Sequence, residues 1–144
     1  MKKMPTNEEF IAIATQTAYA TADKVGLRIA RVYAAPNGTT ITFDFTPYND
    51  IVCPHYSLDY QQHLNSIHIV GMNLDDDLRR EVFSQCYHLA KGLGIGKLNV
   101  LDPSPELEAY AIERGFREDK NRSMPGCKWY TLEVQNAKYT LKRG

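Results

Sequence analysis

The sequence is short of cysteine, of long uncharged apolar runs and of any surplus of charge, and each shortage narrows what the chain can be. Its three cysteines, Cys53, Cys86 and Cys127, are an odd number with no Cys-x-x-Cys pair. That is a poor disulfide framework and points to reduced thiols in a cytoplasmic compartment. Seventeen basic and seventeen acidic residues cancel, which argues against a general nucleic-acid binder, since such affinity rests on neutralising phosphates. Lys138, Lys142 and Arg143 make only a small basic patch. With no net charge to keep copies apart, association with itself as a homo-oligomer or with a partner is favoured. The basic start is followed by Asn7, Glu8 and Glu9 and not by an apolar run, so no secretory signal is expected. The uncharged stretch at residues 10–22 is rich in Thr and Ala and too short and polar to cross a bilayer. No membrane partner is expected.

What is present fits one folded domain over 1–144. A chain of 144 residues with 43% hydrophobic and 24% charged residues is of ordinary globular composition, able to bury roughly 70% of its unfolded surface. Thr6-Asn7-Glu8-Glu9 is a capping box, and Phe10, Ile13, Ala14, Ala18, Ala22 and Val25 follow at helical spacing until Gly26. Residues 27–33 and 39–45 alternate around Pro36-Asn37-Gly38, the signature of a hairpin, with Ile41, Phe43 and Phe45 on one face.

Residues 47–65 read as an irregular loop. Pro47, Asn49, Asp50 and Pro54 break the period, and Tyr48, Tyr56, Tyr60, His55 and His63 crowd into it. Such a loop suits a substrate lid or a protein-binding patch, because Tyr offers area at low entropic cost; packing onto its own sheet is the plain alternative. Residues 66–72 then form a strand. Residues 75–92 form the clearest helix, with Leu78, Val82, Phe83, Cys86, Leu89, Ala90 and Leu93 in one stripe. After a short strand at 97–101, Ser104 caps a second helix with Pro105 at its first position, and Gly115 ends it. A last strand covers 127–134, with another at 138–141. Phe83, Leu89, Val100, Leu101 and Phe116 are expected in one core with Ile41 and Phe43.

Two stretches carry a resemblance. One is Ser-Pro-Glu-Leu-Glu-Ala-Tyr-Ala-Ile-Glu-Arg-Gly-Phe at 104–116, and the other is Gly-Leu-Gly-Ile-Gly-Lys-Leu-Asn-Val at 92–100. With the strand–helix–strand–helix–strand order of 66–134, they resemble the GNAT acyltransferase family. The resemblance implies an α+β fold with a mixed, mainly antiparallel sheet, flanked by an N-terminal helix, one long helix and one short helix. It implies an acyl-CoA-dependent N-acyltransferase acting on an amine-bearing substrate, with acetyl-CoA as cofactor. Backbone atoms of Ile69, Val70 and Gly71 would meet the acyl arm, Arg79 or Arg80 the phosphates, and Ser104 would open the helix near the cofactor. Tyr110 would be the candidate acid.

Two departures run against activity. Where the family has a glycine-rich loop for pyrophosphate, this chain has Asn73-Leu74-Asp75-Asp76-Asp77, with no glycine and three carboxylates. Those carboxylates also have the plain role of capping a helix. Where many members place the acid Tyr, four residues before the glycine, this chain has Ala111, and Tyr110 is turned about 100° around the helix. A catalytically inactive GNAT-like module for protein binding or regulation therefore stands as the alternative.

Other constellations are weaker. Cys53-Pro54-His55 and Cys86-Tyr87-His88 supply zinc-type ligands, but Cys86 and His88 sit in a helix where residues two apart face different ways, so no metal is expected. His55-Tyr56-Ser57 is similar to one His-x-Ser half of a two-histidine phosphoesterase, and His68-Ile69-Val70 lacks the second hydroxyl.

Overall fold

The computed structural model describes residues 4–46 and 54–134. The expected strand at 138–141, Tyr48, Cys53 and the basic tail lie outside them. Thr6 caps α1 (Asn7–Lys24): its hydroxyl accepts from the Glu9 N–H while Glu9 accepts from the Thr6 N–H. Gly26, at φ +78°, takes the left-handed position that ends the helix. A hairpin follows, β1 (Arg28–Ala34) and β2 (Thr40–Thr46), its turn closed by Gly38 N–H to the Ala35 carbonyl at 3.0 Å. A bulge between Ile29 and Arg31 explains why both Ile29 and Ala30 fit the apolar pattern in the sequence.

The expected loop is in part a strand. Within 47–65, residues 55–61 are a strand, β3 (His55–Gln61), followed by a 3-10 turn at Gln62–Leu64. Tyr56, Leu58 and Tyr60 alternate with polar residues and are buried. Tyr60 stacks on Phe10 with ring centroids 4.6 Å apart, and its hydroxyl donates to the Pro5 carbonyl at 2.7 Å. Of the aromatic cluster, Tyr56 and Tyr60 are therefore core and not a docking patch.

β4 (Ser66–Asn73), α2 (Asp76–Leu93), β5 (Lys97–Leu101), α3 (Pro105–Glu113), the two-residue β6 (Arg117–Glu118) and β7 (Trp129–Glu133) complete the chain. The strands form one seven-stranded sheet in the order β1-β2-β3-β4-β5-β7-β6. Every pair is antiparallel except β4 with β5. This is the α+β, mainly antiparallel arrangement with one N-terminal, one long and one short helix.

Register puts Ile41, Phe43, Phe45, Tyr56, Leu58, Tyr60, Ile67, Ile69, Leu98, Val100, Tyr130 and Leu132 in one core with the buried stripes of α1 and α2. Phe83 of α2 touches both Tyr110 and Phe116, which brings α3 to the same side. Of the seven expected core residues, six are buried. Leu101, at the end of β5, is half-buried.

The other face of the sheet is polar. Cross-strand pairing lines up Thr40, Asp59, His68, Asn99, Thr131 and Arg117 in one row across six strands. No helix among the described residues contributes a buried side chain to that row, yet His68 and Asn99 are each only 4% exposed.

Candidate functional site

The one parallel pair in the sheet is short and is defined at both ends. At its start, Asn65 adopts a left-handed conformation (φ +54°). Its carbonyl accepts from the Gly96 and Lys97 N–H groups, and its side-chain oxygen accepts again from Gly96 at 3.0 Å. A Cβ on Gly96 would come within 2.6 Å of the Asn65 amide nitrogen, so a larger residue there would have to displace the Asn65 side chain from its bond to the Gly96 N–H.

At the other end, pairing runs from Ser66–Lys97 to Ile69–Val100 and stops. There the β3–β4 register slips: Ser57 pairs Gly71 and Leu58 pairs Ile69, which leaves Val70 as the extra residue of a bulge. A bulge bends its strand and raises its twist. β4 continues to Asn73 alongside β3, beyond its last pairing with β5 at Ile69–Val100. Val70 is 40% exposed. Ile69 is buried and Gly71 lies opposite Ser57 with room for a Cβ. The three residues expected at an acyl arm thus sit together at the point where the β4–β5 pairing ends.

The start of α2 forms the mouth of this candidate site, and its chemistry is acidic. Asp75 is the N-cap, its carboxylate accepting from the Leu78 N–H at 2.9 Å. Arg79 donates to Asp76 at 2.8 Å and to the Leu74 carbonyl at 3.0 Å, with its side chain only 13% exposed. Arg80 reaches Asp77 at 3.4 Å and is half-exposed. Both arginines expected at phosphates are thus engaged by the carboxylates of their own helical turn, and Arg79 also pins the strand-to-helix connection. For the pyrophosphate of a CoA the fit is poor: one helix-end donor is taken by a fixed anion and the nearby cations are paired.

α3 supplies the remaining candidates. Ser104 caps it, accepting from the Leu107 N–H at 3.3 Å, with Pro105 at the first position. Tyr110 stacks on Phe83 at 4.9 Å, and the Arg114 guanidinium lies over its other face, 4.4 Å from the centroid. Its hydroxyl is buried. Burial pushes its pKa up, with Arg114, Arg80 and Arg79 opposing weakly. Ala111 is fully buried and has no hydroxyl to offer. Farther along, Glu108 and Tyr130 share a short hydrogen bond that ties α3 to β7, with Lys128 at 3.5 Å. That bond pushes the Tyr130 pKa up to about 12 and holds Glu108 below the usual carboxylate range.

The structure brings Ile69, Val70, Gly71, Arg79 and Arg80 along one strand-to-helix run. Tyr110 joins them through Phe83 and the electrostatic reach of Arg79 and Arg80. Ser104 is a capping residue at the far end of β5. Of the two thiol–imidazole pairs, Cys53 lies outside the described residues, and Cys86 and His88 face different ways: Cys86 is in the core, its thiol pushed up to about 12 by burial, while His88 is exposed. Among the described residues, no three His, Cys, Asp or Glu side chains converge as a metal site. Among them, too, no helix is long and apolar enough to cross a membrane. Sequence reasoning missed the polar row of His68, Asn99 and Thr131. Its signal was the alternation of Ser66 and His68 with Ile67 and Ile69.

No protein-family model matches the sequence, and no curated protein matches it significantly. Solved structures do match in shape. A GNAT-family protein from Chromobacterium violaceum superposes over 94% of this chain and 68% of its own, at 12% identity and a TM-score of 0.52. A GNAT-family protein from Desulfovibrio desulfuricans superposes over 68% of this chain and 71% of its own, at 13% identity and a TM-score of 0.51. At such identity the likeness is one of architecture. The chain has the fold of the GNAT acetyltransferases.

Proposed function

We propose that the chain is an acyl-CoA-dependent N-acyltransferase with a weakened hold on the nucleotide end of its donor. The observation that carries the reading is the end of β4–β5 pairing at the Val70 bulge. It leaves Val70, Gly71 and Met72 without a β5 partner in the ladder, within a fold shared with acetyltransferases. A row of fixed N–H and C=O groups suits a pantetheine arm, which is extended and amide-bearing. A thioester donor, when bound, supplies the activated acyl carbon. The protein's share is then to align an incoming amine and to polarise the carbonyl with backbone donors. Tyr110 is a poor acid as placed, stacked between Phe83 and Arg114 with its proton held more tightly than usual. No metal enters the reading. The acceptor is an amine-bearing molecule, and the free thiols Cys86 and Cys127 suit a reducing, cytoplasmic setting.

Isothermal titration with acetyl-CoA tests this. The expected dissociation constant is about millimolar, since losing a few charge-assisted hydrogen bonds at roughly 1.5–3 kcal/mol each removes most of the anchoring. Replacing Asp75 and Asp77 by glycine should tighten it. Micromolar binding by the parent chain would remove the weakened-hold part of the reading.

A second reading is a GNAT-type scaffold that has lost the donor and binds a protein partner or another copy of itself. The capped, carboxylate-filled start of α2 with both arginines engaged favours it. It is the outcome if neither the parent nor the glycine variant binds acetyl-CoA.

A further inference from the structure

On the polar face of the sheet lies a small cavity of about 10 Å³, lined by Lys97, Asn99, Asp119, Arg122, Trp129 and Thr131, among others. It is far from the α2 mouth and independent of any acyl transfer. Three side-chain atoms among its lining residues are buried and have no partner among the described residues: Asn99 Oδ1, Trp129 Nε1 and Thr131 Oγ1. Strand register explains the convergence. Asn99 and Thr131 are direct cross-strand partners in β5 and β7, and Trp129 lies two residues from Thr131, on the same face of β7. Three other polar lining residues, Ser66, Arg122 and Asp119, are already committed. Ser66 Oγ and His68 Nε2 bond each other at 2.9 Å, and Arg122 pairs Asp119 at 3.6 Å while its guanidinium covers the Trp129 ring.

We propose that this cavity is a binding site for one hydroxyl-type oxygen, filled by a single ordered water that Trp129, Asn99 and Thr131 share. The donor and acceptor chemistry selects the occupant. An indole N–H only donates, an amide oxygen only accepts, and a threonine hydroxyl does either. A cation gives the indole nothing to donate to. An anion gives Asn99 Oδ1 nothing to accept, and although Lys97 and Arg122 line the cavity it would also meet the Asp119 carboxylate. An oxygen that both accepts and donates satisfies all three. The volume admits one water and little more, and a buried water ordinarily has two to four polar partners. Asn99, at 4% exposure, has no open access to bulk solvent as a substitute. The water bridges β5 to β7 beneath Trp129, where direct side-chain bonds do not.

Trp129 is the only tryptophan in the chain, so its indole N–H is a single, self-assigned NMR resonance. Water-selective NOE and ROE spectra of the full-length protein should show a cross-peak from that proton to a long-lived water, with the ROE sign separating it from proton exchange. Adding chloride or sulfate should leave the resonance in place. The peak should persist in Thr131→Val, which removes a hydroxyl that could relay exchange, and should vanish in Asn99→Leu, which fills the cavity with an apolar isostere. Absence of the cross-peak in the parent, its loss in Thr131→Val, its survival in a folded Asn99→Leu, or a saturable shift with added anion would each overturn the proposal. If Asn99→Leu does not fold, the parent spectra, Thr131→Val and the anion titration still decide.

Discussion

The two faces of the sheet are buried by different means. The helix-covered face is closed by shape: Phe43, Leu58, Ile67, Ile69, Leu98 and Val100 are all at most 1% exposed and pack against α1 and α2. The opposite face is closed by polar contacts. Thr42 and Ser57 share a hydroxyl–hydroxyl bond at 2.7 Å. Asp59 takes Thr39, Thr40 and Gln61. His68 takes Ser66 from below and the Trp129 edge from above. Apolar burial is non-directional and tolerates small misfits, whereas a buried polar group costs heavily unless its partners are in place. The first face should therefore carry the stability, and the second should carry pH and solvent sensitivity.

The largest expected effect lies on the apolar face. Phe43→Ala should destabilise by about 3–5 kcal/mol, the range for a fully buried aromatic truncated to a methyl, measured by urea denaturation. Asn99→Ala, equally buried, should cost only about 1 kcal/mol, because its amide oxygen has no direct protein bond to lose. Equal costs for the two would erase the distinction between the faces.

The next effect is acid sensitivity, and it belongs to His68. Burial lowers its pKa below the usual 6.5; nearby Asp59 opposes the shift, while Arg122 and His63 add to it. The unfolded chain therefore binds this proton at a pH where the folded chain does not. Stability is highest above the unfolded pKa and is lost as pH falls from about 6.5 towards the folded value. His68→Gln should flatten the pH dependence of the unfolding midpoint between pH 7 and about 5. An unchanged slope in that variant would place the acid sensitivity elsewhere.

The contrast between faces also explains what the sequence made legible. Caps at Thr6, Asp75 and Ser104 and the left-handed Gly26 and Gly115 are local chemistry, readable residue by residue, and they stand as expected. β3 was hidden although Tyr56, Leu58 and Tyr60 alternate with period two, because the turn residues before it and the density of tyrosines drew attention to a loop. β6, at two residues, offers no period at all. The polar row was legible only within β4, where Ser66 and His68 alternate with Ile67 and Ile69. Asp59, His68, Asn99 and Thr131 come from four strands, and only pairing register sets them side by side. At the candidate site, Val70 was legible as part of a strand, but its bulge depends on the slip against Ser57 and Leu58. Arg79 and Arg80 were legible as cations near a helix start. Which of them is committed to the fold depends on the Leu74 carbonyl, a contact no spacing rule reveals.

That last distinction gives the smallest expected effect and the sharpest use of it. Arg80 is half-exposed and its partner Asp77 more so, with 3.4 Å between them. An exposed pair of this kind contributes about 0.2–1 kcal/mol, so Arg80→Ala should change stability by about 0.5 kcal/mol at most. Arg79 is mostly buried and holds a backbone carbonyl as well as Asp76. Arg79→Ala should cost more, about 1.5–3 kcal/mol, the range for a hydrogen bond to a charged group. If the α2 mouth binds acetyl-CoA at all, the roles should reverse in a titration. Arg80 can swing from Asp77 to a phosphate at little cost, whereas Arg79 must first give up Leu74. Arg80→Ala should then weaken binding several-fold with the fold intact, read by calorimetry beside circular dichroism. An Arg80→Ala protein that binds acetyl-CoA as the parent does would mean that phosphate, if held, is held by other groups.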